Sequence, residues 1–161
     1  MNVIEFAMKM ELEGEKYYNE QAEINKDNSL STVFLMLAKD EKKHSEFLRN
    51  IANKLPCNLE QSETLSEAKS VFNNIGSLKN GIKHTPNQLD VYRLALEKEK
   101  ESIELYQKYL SEATDDESKK LFQYLIKQEK EHYAIMDELV LIVSRPEEWV
   151  ESAEFGLRED Y

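Results

Sequence analysis

FLMLAKDEKKHSEFL, residues 34–48, decides the fold, because FQYLIKQEKEHYAIM, residues 122–136, repeats its plan farther along the chain. On a helix, the first stretch and its continuation place Phe34, Leu37, Glu41, His44, Leu48, Ile51 and Leu55 on one stripe, in steps of three and four. That is the spacing with which packed helices bury a seam. The second stretch places Phe122, Leu125, Glu129, His132, Met136, Leu139 and Val143 in the same way. Each apolar seam is interrupted by Glu-x-x-His at the same place, since 41 + 88 = 129 and 44 + 88 = 132. The offset of 88 also carries Glu11 to Glu99 and Tyr18 to Tyr106. Two helical hairpins are therefore expected to be copies of each other.

Working outward, helix one is expected from about Asn2 to Asn25, with Ile4, Met8, Glu11, Tyr18 and Ala22 on its stripe. Asp27, Asn28 and Ser29 can all cap a second helix lasting to about Leu55, just before Pro56. Residues 56–86 hold Pro56, Gly76, Gly81 and Pro86 and read as a long crossover with a short helix through SETLSEAKSVFNNI. Thr85-Pro86-Asn87-Gln88 marks the start of a third helix reaching about Ala113, with Tyr92, Leu96, Glu99, Ile103, Tyr106 and Leu110 inward. Thr114-Asp115-Asp116-Glu117 reads as a capping box for a fourth helix ending near Ser144, before Pro146. The expectation is an all-α four-helix bundle over residues 1–144, two repeated hairpins joined by a long crossover, followed by a tail over 145–161 with Trp149, Phe155 and Tyr161.

Composition agrees with long helices and excludes several classes. The 161 residues are 40% hydrophobic and 33% charged, with four Gly and three Pro. Cys57 is the one cysteine, so no internal disulfide and no Cys-x-x-Cys metal site can form, and a reducing cytoplasm is expected. The acidic start MNVIEFAMKMELEGEKYY is unlike a signal peptide, and no stretch approaches a membrane span. A formal net charge of -11 repels phosphate backbones and anionic membranes, so neither nucleic acid nor membrane is an expected partner.

Each helix carries one central Glu, and two carry a His one turn on. Four ionised carboxylates in a bundle core would be prohibitively costly without partners, because the burial of charge and like-charge repulsion add. Two divalent cations balance them on paper, and a neutral imidazole on each side completes the set. The i, i+3 spacing puts carboxylate and imidazole on one face, within reach of the same cluster. Mixed oxygen and nitrogen donors suit iron or manganese better than the soft thiolate sites of copper(I) or structural zinc. A single Glu-x-x-His is weak evidence of a metal site. Here two of the chain's three histidines stand in it at matching positions, each with a partner Glu thirty residues earlier, as 41 − 11 and 129 − 99 show. His84 reads as a loop residue, and Glu15, opposite Ile103 in the repeat, reads as a residue at a wet bundle edge. Tyr18 and Tyr106 follow Glu11 and Glu99 by seven residues, where they can hydrogen-bond a ligand carboxylate or serve as ordinary core aromatics.

As an ordered set, Glu11, Glu41-x-x-His44, Glu99 and Glu129-x-x-His132 resembles the ferritin-like di-iron proteins, and within them the rubrerythrin type, over about residues 2–144. The resemblance implies that Glu41 and Glu129 bridge two irons, that Glu11 and Glu99 bind one iron each, and that His44 and His132 cap one each. It also implies that Tyr18 and Tyr106 stand behind these ligands. Two departures are evident. Full-length rubrerythrins carry a four-cysteine rubredoxin domain, so a separate electron donor such as a rubredoxin is expected. They also carry an extra Glu where this chain has Leu96, so the iron movement which that ligand supports is not implied here.

The expected function is a di-iron oxidoreductase of rubrerythrin type, reducing hydrogen peroxide or oxygen as a peroxidase or oxidase in oxidative stress. A ferroxidase or iron-handling protein and a bundle in which metal only holds the core together stand as alternatives. Di-manganese is a variant. The apolar residues of helix one off its seam, Phe6, Met10, Leu12 and Tyr17, lead to the expectation of a homodimer.

Overall fold

In the computed structural model, residues 2–74 and 86–144 are described. His84, Thr85 and the tail with Trp149, Phe155 and Tyr161 lie outside the described residues, as do Gly76 and Gly81. Five helices follow in order: α1 (Val3–Ile24), α2 (Leu30–Ala52), α3 (Thr64–Asn73), α4 (Pro86–Glu112) and α5 (Asp116–Ser144). No strand occurs among the described residues.

Local chemistry sets the helix ends. Asn2 caps α1 by accepting from the Glu5 N–H at 2.8 Å, which satisfies one of the donors a helix leaves free at its start. At the start of α2, Asn28 supplies the oxygen, accepting from the Leu30 N–H at 2.8 Å. α5 is capped by Asp115, which accepts from the Ser118 N–H at 2.9 Å, so the cap lies one residue later than the box expected from Thr114. α2 ends at Ala52, short of the expected Leu55. Lys54 takes a left-handed φ of 57°, and the Leu55 N–H turns back to Asn50 O at 2.7 Å, closing the helix end. Leu55, expected on the seam, is consequently 52% exposed.

Packing is most extensive within the two hairpins, α1 with α2 and α4 with α5, while α3 lies against α2 and α5. The copies point opposite ways along the bundle. Tyr18 stacks on Phe34 in one apolar cluster with Leu37, Tyr92, Met136 and Leu139. Their repeat equivalents, Tyr106 and Phe122, stack in a second cluster with Leu48, Leu121 and Leu125. Burying each such side chain stabilises the fold by about 1.5–3 kcal/mol. Hairpins are tied together by Gln88 Nε2, which donates to Gln21 Oε1 at 2.9 Å, and by Tyr17 OH, which donates to Val91 O at 3.0 Å. Between the two clusters lies a layer of buried polar groups.

Candidate metal centre

Into this layer α1 sends Glu11, α2 sends Glu41 and His44, α4 sends Glu99, and α5 sends Glu129 and His132, all of them buried. Donor atoms of Glu11, Glu41, His44 and Glu129 lie within 4.8 Å of one another, and so do those of Glu41, Glu99, Glu129 and His132. Glu41 and Glu129 belong to both groups. Each histidine turns Nδ1 into the layer. That of His44 lies 3.0 Å from Glu129 and 3.2 Å from Glu11, and that of His132 lies 2.8 Å from Glu41. The two rings stack with centroids 5.8 Å apart.

Nε2 of each ring points the other way. His132 Nε2 donates to Asp40 Oδ2 at 3.0 Å, and His44 Nε2 lies 3.4 Å from Gln128 Oε1. In the neutral ring a proton held on Nε2 leaves Nδ1 with its lone pair facing the carboxylates, the arrangement of a histidine that ligates metal. Asp40 is itself fixed from the crossover, accepting from Thr64 Oγ1 at 2.7 Å and from Ser62 Oγ at 3.0 Å.

Several atoms in the layer lack the partners that buried polar groups ordinarily have. Glu41 Oε1, Glu99 Oε2, Glu129 Oε1 and His132 Nδ1 are buried without a hydrogen bond, because even the 2.8 Å approach of His132 to Glu41 is not aligned as one. Unpaired oxygens and one unpaired imidazole nitrogen, gathered at a single place, are donors suited to a hard or borderline cation. The donor set therefore fits metal.

Electrostatics agree. Burial raises the Glu11 carboxyl to about 8, with the charge of Glu99 adding to it and hydrogen bonding to Glu129 and Glu41 opposing it. Burial, then repulsion from the other carboxylates, likewise pushes Glu41 and Glu129 well above the usual range. At Glu99 burial acts upward, but the neighbouring Glu129, His132 and Tyr18 outweigh it and hold the group low. Burial also lowers His44. At His132 burial is overcome by Asp40, Glu41 and Glu99, which hold it well above its ordinary value. Without a cation, the layer must keep protons on several of its carboxyls.

The tyrosines divide. Tyr18 OH donates to Glu99 Oε1 at 2.7 Å, so the helix-one tyrosine serves the glutamate of the opposite hairpin. Tyr106 OH is buried near enough to Glu11 for that carboxylate to raise its ionisation, after burial itself, yet it makes no hydrogen bond. Glu15 is half-buried on α1 and belongs to neither group.

Three features escaped the sequence reading. Asp40 and Gln128 are repeat equivalents, 40 + 88 = 128, and that offset was the available signal. Gly14 is the third: a Cβ there would lie 2.5 Å from Glu41 Oε2 and 3.2 Å from its Cδ, so only glycine leaves room for this carboxylate as placed. Gly14 also lines a cavity of about 420 Å³ between α1 and α4, together with Tyr18, Glu41, Glu99 and Ser102.

A family described as Rubrerythrin matches residues 2–140, a span that contains all six of these Glu and His residues. No curated protein and no solved structure matches the chain.

Proposed function

The chain belongs to the rubrerythrin family, and from that premise we propose that its polar layer holds two iron ions as the redox centre of an oxidoreductase. The oxidant proposed is hydrogen peroxide or oxygen, and the electrons come from a separate donor such as a rubredoxin. The carrying observation is that two four-residue groups of buried donors share Glu41 and Glu129. Their shared membership supports a bridging role for these two carboxylates. Glu11 with His44 would hold one ion, and Glu99 with His132 the other.

When bound, a ferrous pair supplies two electrons, which with two protons convert one hydrogen peroxide into two waters. The chain's own residues prepare that chemistry. Glu11, Glu41 and Glu129, held upward by burial, give up their protons in exchange for cations. Tyr18 fixes one oxygen of Glu99 and leaves the other unpaired for a cation. Apolar clusters on both sides keep bulk water from the layer. Between α1 and α4, the cavity that reaches Glu41 and Glu99 supports entry of a small oxidant from that side.

No helix among the described residues is long and apolar enough to cross a membrane, and a cytoplasmic location is proposed from the lone Cys57. A second copy of the chain is the proposed partner for α1, on which Phe6 is 48% and Leu12 is 44% exposed, although Met10 and Tyr17, expected beside them, are half-buried toward Ser102 and Val91 of α4.

The test is a stoichiometric pulse of hydrogen peroxide to protein loaded anaerobically with ferrous iron. Consumption of one peroxide per two ferrous ions, with the oxidised iron retained through dialysis, is expected. Inertness toward both peroxide and oxygen would reduce the bundle to a metal-stabilised scaffold, and loss of the iron after oxidation would make it an iron-handling protein.

A further inference from the structure

The two halves of the polar layer repeat each other in their Glu and His residues but not in what stands behind them. His132 gives its Nε2 proton to a carboxylate, Asp40, at 3.0 Å, whereas His44 faces an amide oxygen of Gln128 at 3.4 Å. Asp40 is held in turn by Thr64 and Ser62 at 2.7 and 3.0 Å, so it cannot swing away without breaking those bonds. The same half has its carboxylate fixed, with Glu99 Oε1 accepting from Tyr18 at 2.7 Å. In the other half the equivalent hydroxyl, on Tyr106, lies beside Glu11 without the short aligned bond that Tyr18 makes.

An anionic acceptor behind an imidazole orients the ring and draws its N–H proton away, making the opposite nitrogen a stronger donor to a cation. A neutral amide at longer range does less of both. Ligands already held in place also lose less freedom when the cation arrives. Both effects act on the same half.

We propose that Asp40 is a positioning residue that makes the centre asymmetric, so that the half formed by Glu99 and His132 binds a divalent cation first and more tightly than the half formed by Glu11 and His44. This rests on the reading of the layer as a two-metal centre. Gln128, at the repeat position of Asp40, sets the weaker half, and the short crossover helix acts on the centre through Thr64.

The experiment is calorimetric and visible-absorption titration of the metal-free, full-length protein with cobalt(II) at pH 8, in buffers of different ionisation heat so that the protons released by the layer are counted. Uptake of two ions in steps at least about tenfold apart is expected, since loss of such a partner ordinarily costs 10- to 100-fold in affinity. His44→Ala should keep the tight step and His132→Ala should lose it. Asp40→Asn, which preserves size and an acceptor oxygen, should weaken the tight step by about 10- to 100-fold and leave the other unchanged. Gln128→Glu should strengthen the weaker step, and the double variant should reverse the order of filling. Two indistinguishable steps, or an Asp40→Asn variant that leaves both steps alone or weakens both equally, would overturn the proposal while leaving a two-metal centre. Failure of the unaltered protein to bind cobalt would overturn both.

Discussion

Replacing Gly14 with alanine separates the stability of the bundle from the capacity of its polar layer to hold metal. The new Cβ would stand 2.5 Å from Glu41 Oε2, 3.2 Å from Cδ and 3.4 Å from Cγ. An ordinary contact starts near 3.4 Å, so the carboxylate end must retreat by 3.4 − 2.5 = 0.9 Å. In metal-free protein two effects oppose each other. Alanine gains about 0.8–1.0 kcal/mol over glycine inside a helix, while overpacking a tight interior costs roughly 1–3 kcal/mol. The net loss is therefore between about zero and 2 kcal/mol, or at most about 8 °C in Tm for a chain of this size. Metal binding has no such offset, because Glu41 belongs to both donor groups. An affinity loss of about 10- to 100-fold removes about 1.4–2.7 kcal/mol of metal-induced stabilisation. Scanning calorimetry of wild type and Gly14→Ala, metal-free and with manganese(II), reads both quantities. A variant with the full wild-type rise in Tm on metal addition would refute the argument that Gly14 makes room for a ligand.

Tyr18→Phe removes the hydroxyl that Glu99 accepts from at 2.7 Å, and should cost the metal-free protein about 1.5–3 kcal/mol in urea unfolding. Tyr106→Phe, whose hydroxyl lies beside Glu11 without an aligned hydrogen bond, should cost less, and equal losses would count against the asymmetry of the two tyrosines. The metal-free protein should lose stability as pH rises from about 6.5 to 8. Glu11, raised from 4.5 to about 8, holds a proton in the fold that it releases when unfolded, so its contribution is full below 4.5 and lost as pH climbs through about 8. His132, also raised, acts in the same direction. One such group changes stability by about 1.4 kcal/mol per pH unit. A melting temperature that is flat or rising over this range would contradict the assignment, and the gain from added metal should widen with pH. Sedimentation at micromolar concentration should show a dimer that Phe6→Glu disrupts, and a monomeric wild type would remove the α1 face as an interface.

Much of the centre was legible because a repeat is a relation between residues that needs no coordinates. Glu41 and Glu129 could be paired by offset alone, and charge burial made a neutralising cation the reasonable reading. Less legible were features that arise only when helices meet. Asp40 sits one residue before Glu41, about 100° around the helix and off the apolar stripe. Only the approach of α5 brings it to His132. Tyr18 follows Glu11 on one face of α1, yet its hydroxyl goes to Glu99 of α4, since the copies run in opposite directions. Nor does a stripe say where its helix stops. Leu55 continued the seam in register but fell outside the core, because the chain leaves α2 through the left-handed Lys54. Gly14 had no pattern to announce it, for its role is an absence of atoms beside Glu41.

The most direct test of the central claim is the metal content of protein loaded anaerobically with ferrous iron and then dialysed, compared with Glu41→Ala and Glu129→Ala. The account predicts two irons retained per chain, with both sites impaired by either substitution, because each of these carboxylates belongs to both donor groups. Retention of no iron by the wild type, or full retention by both variants, would contradict it.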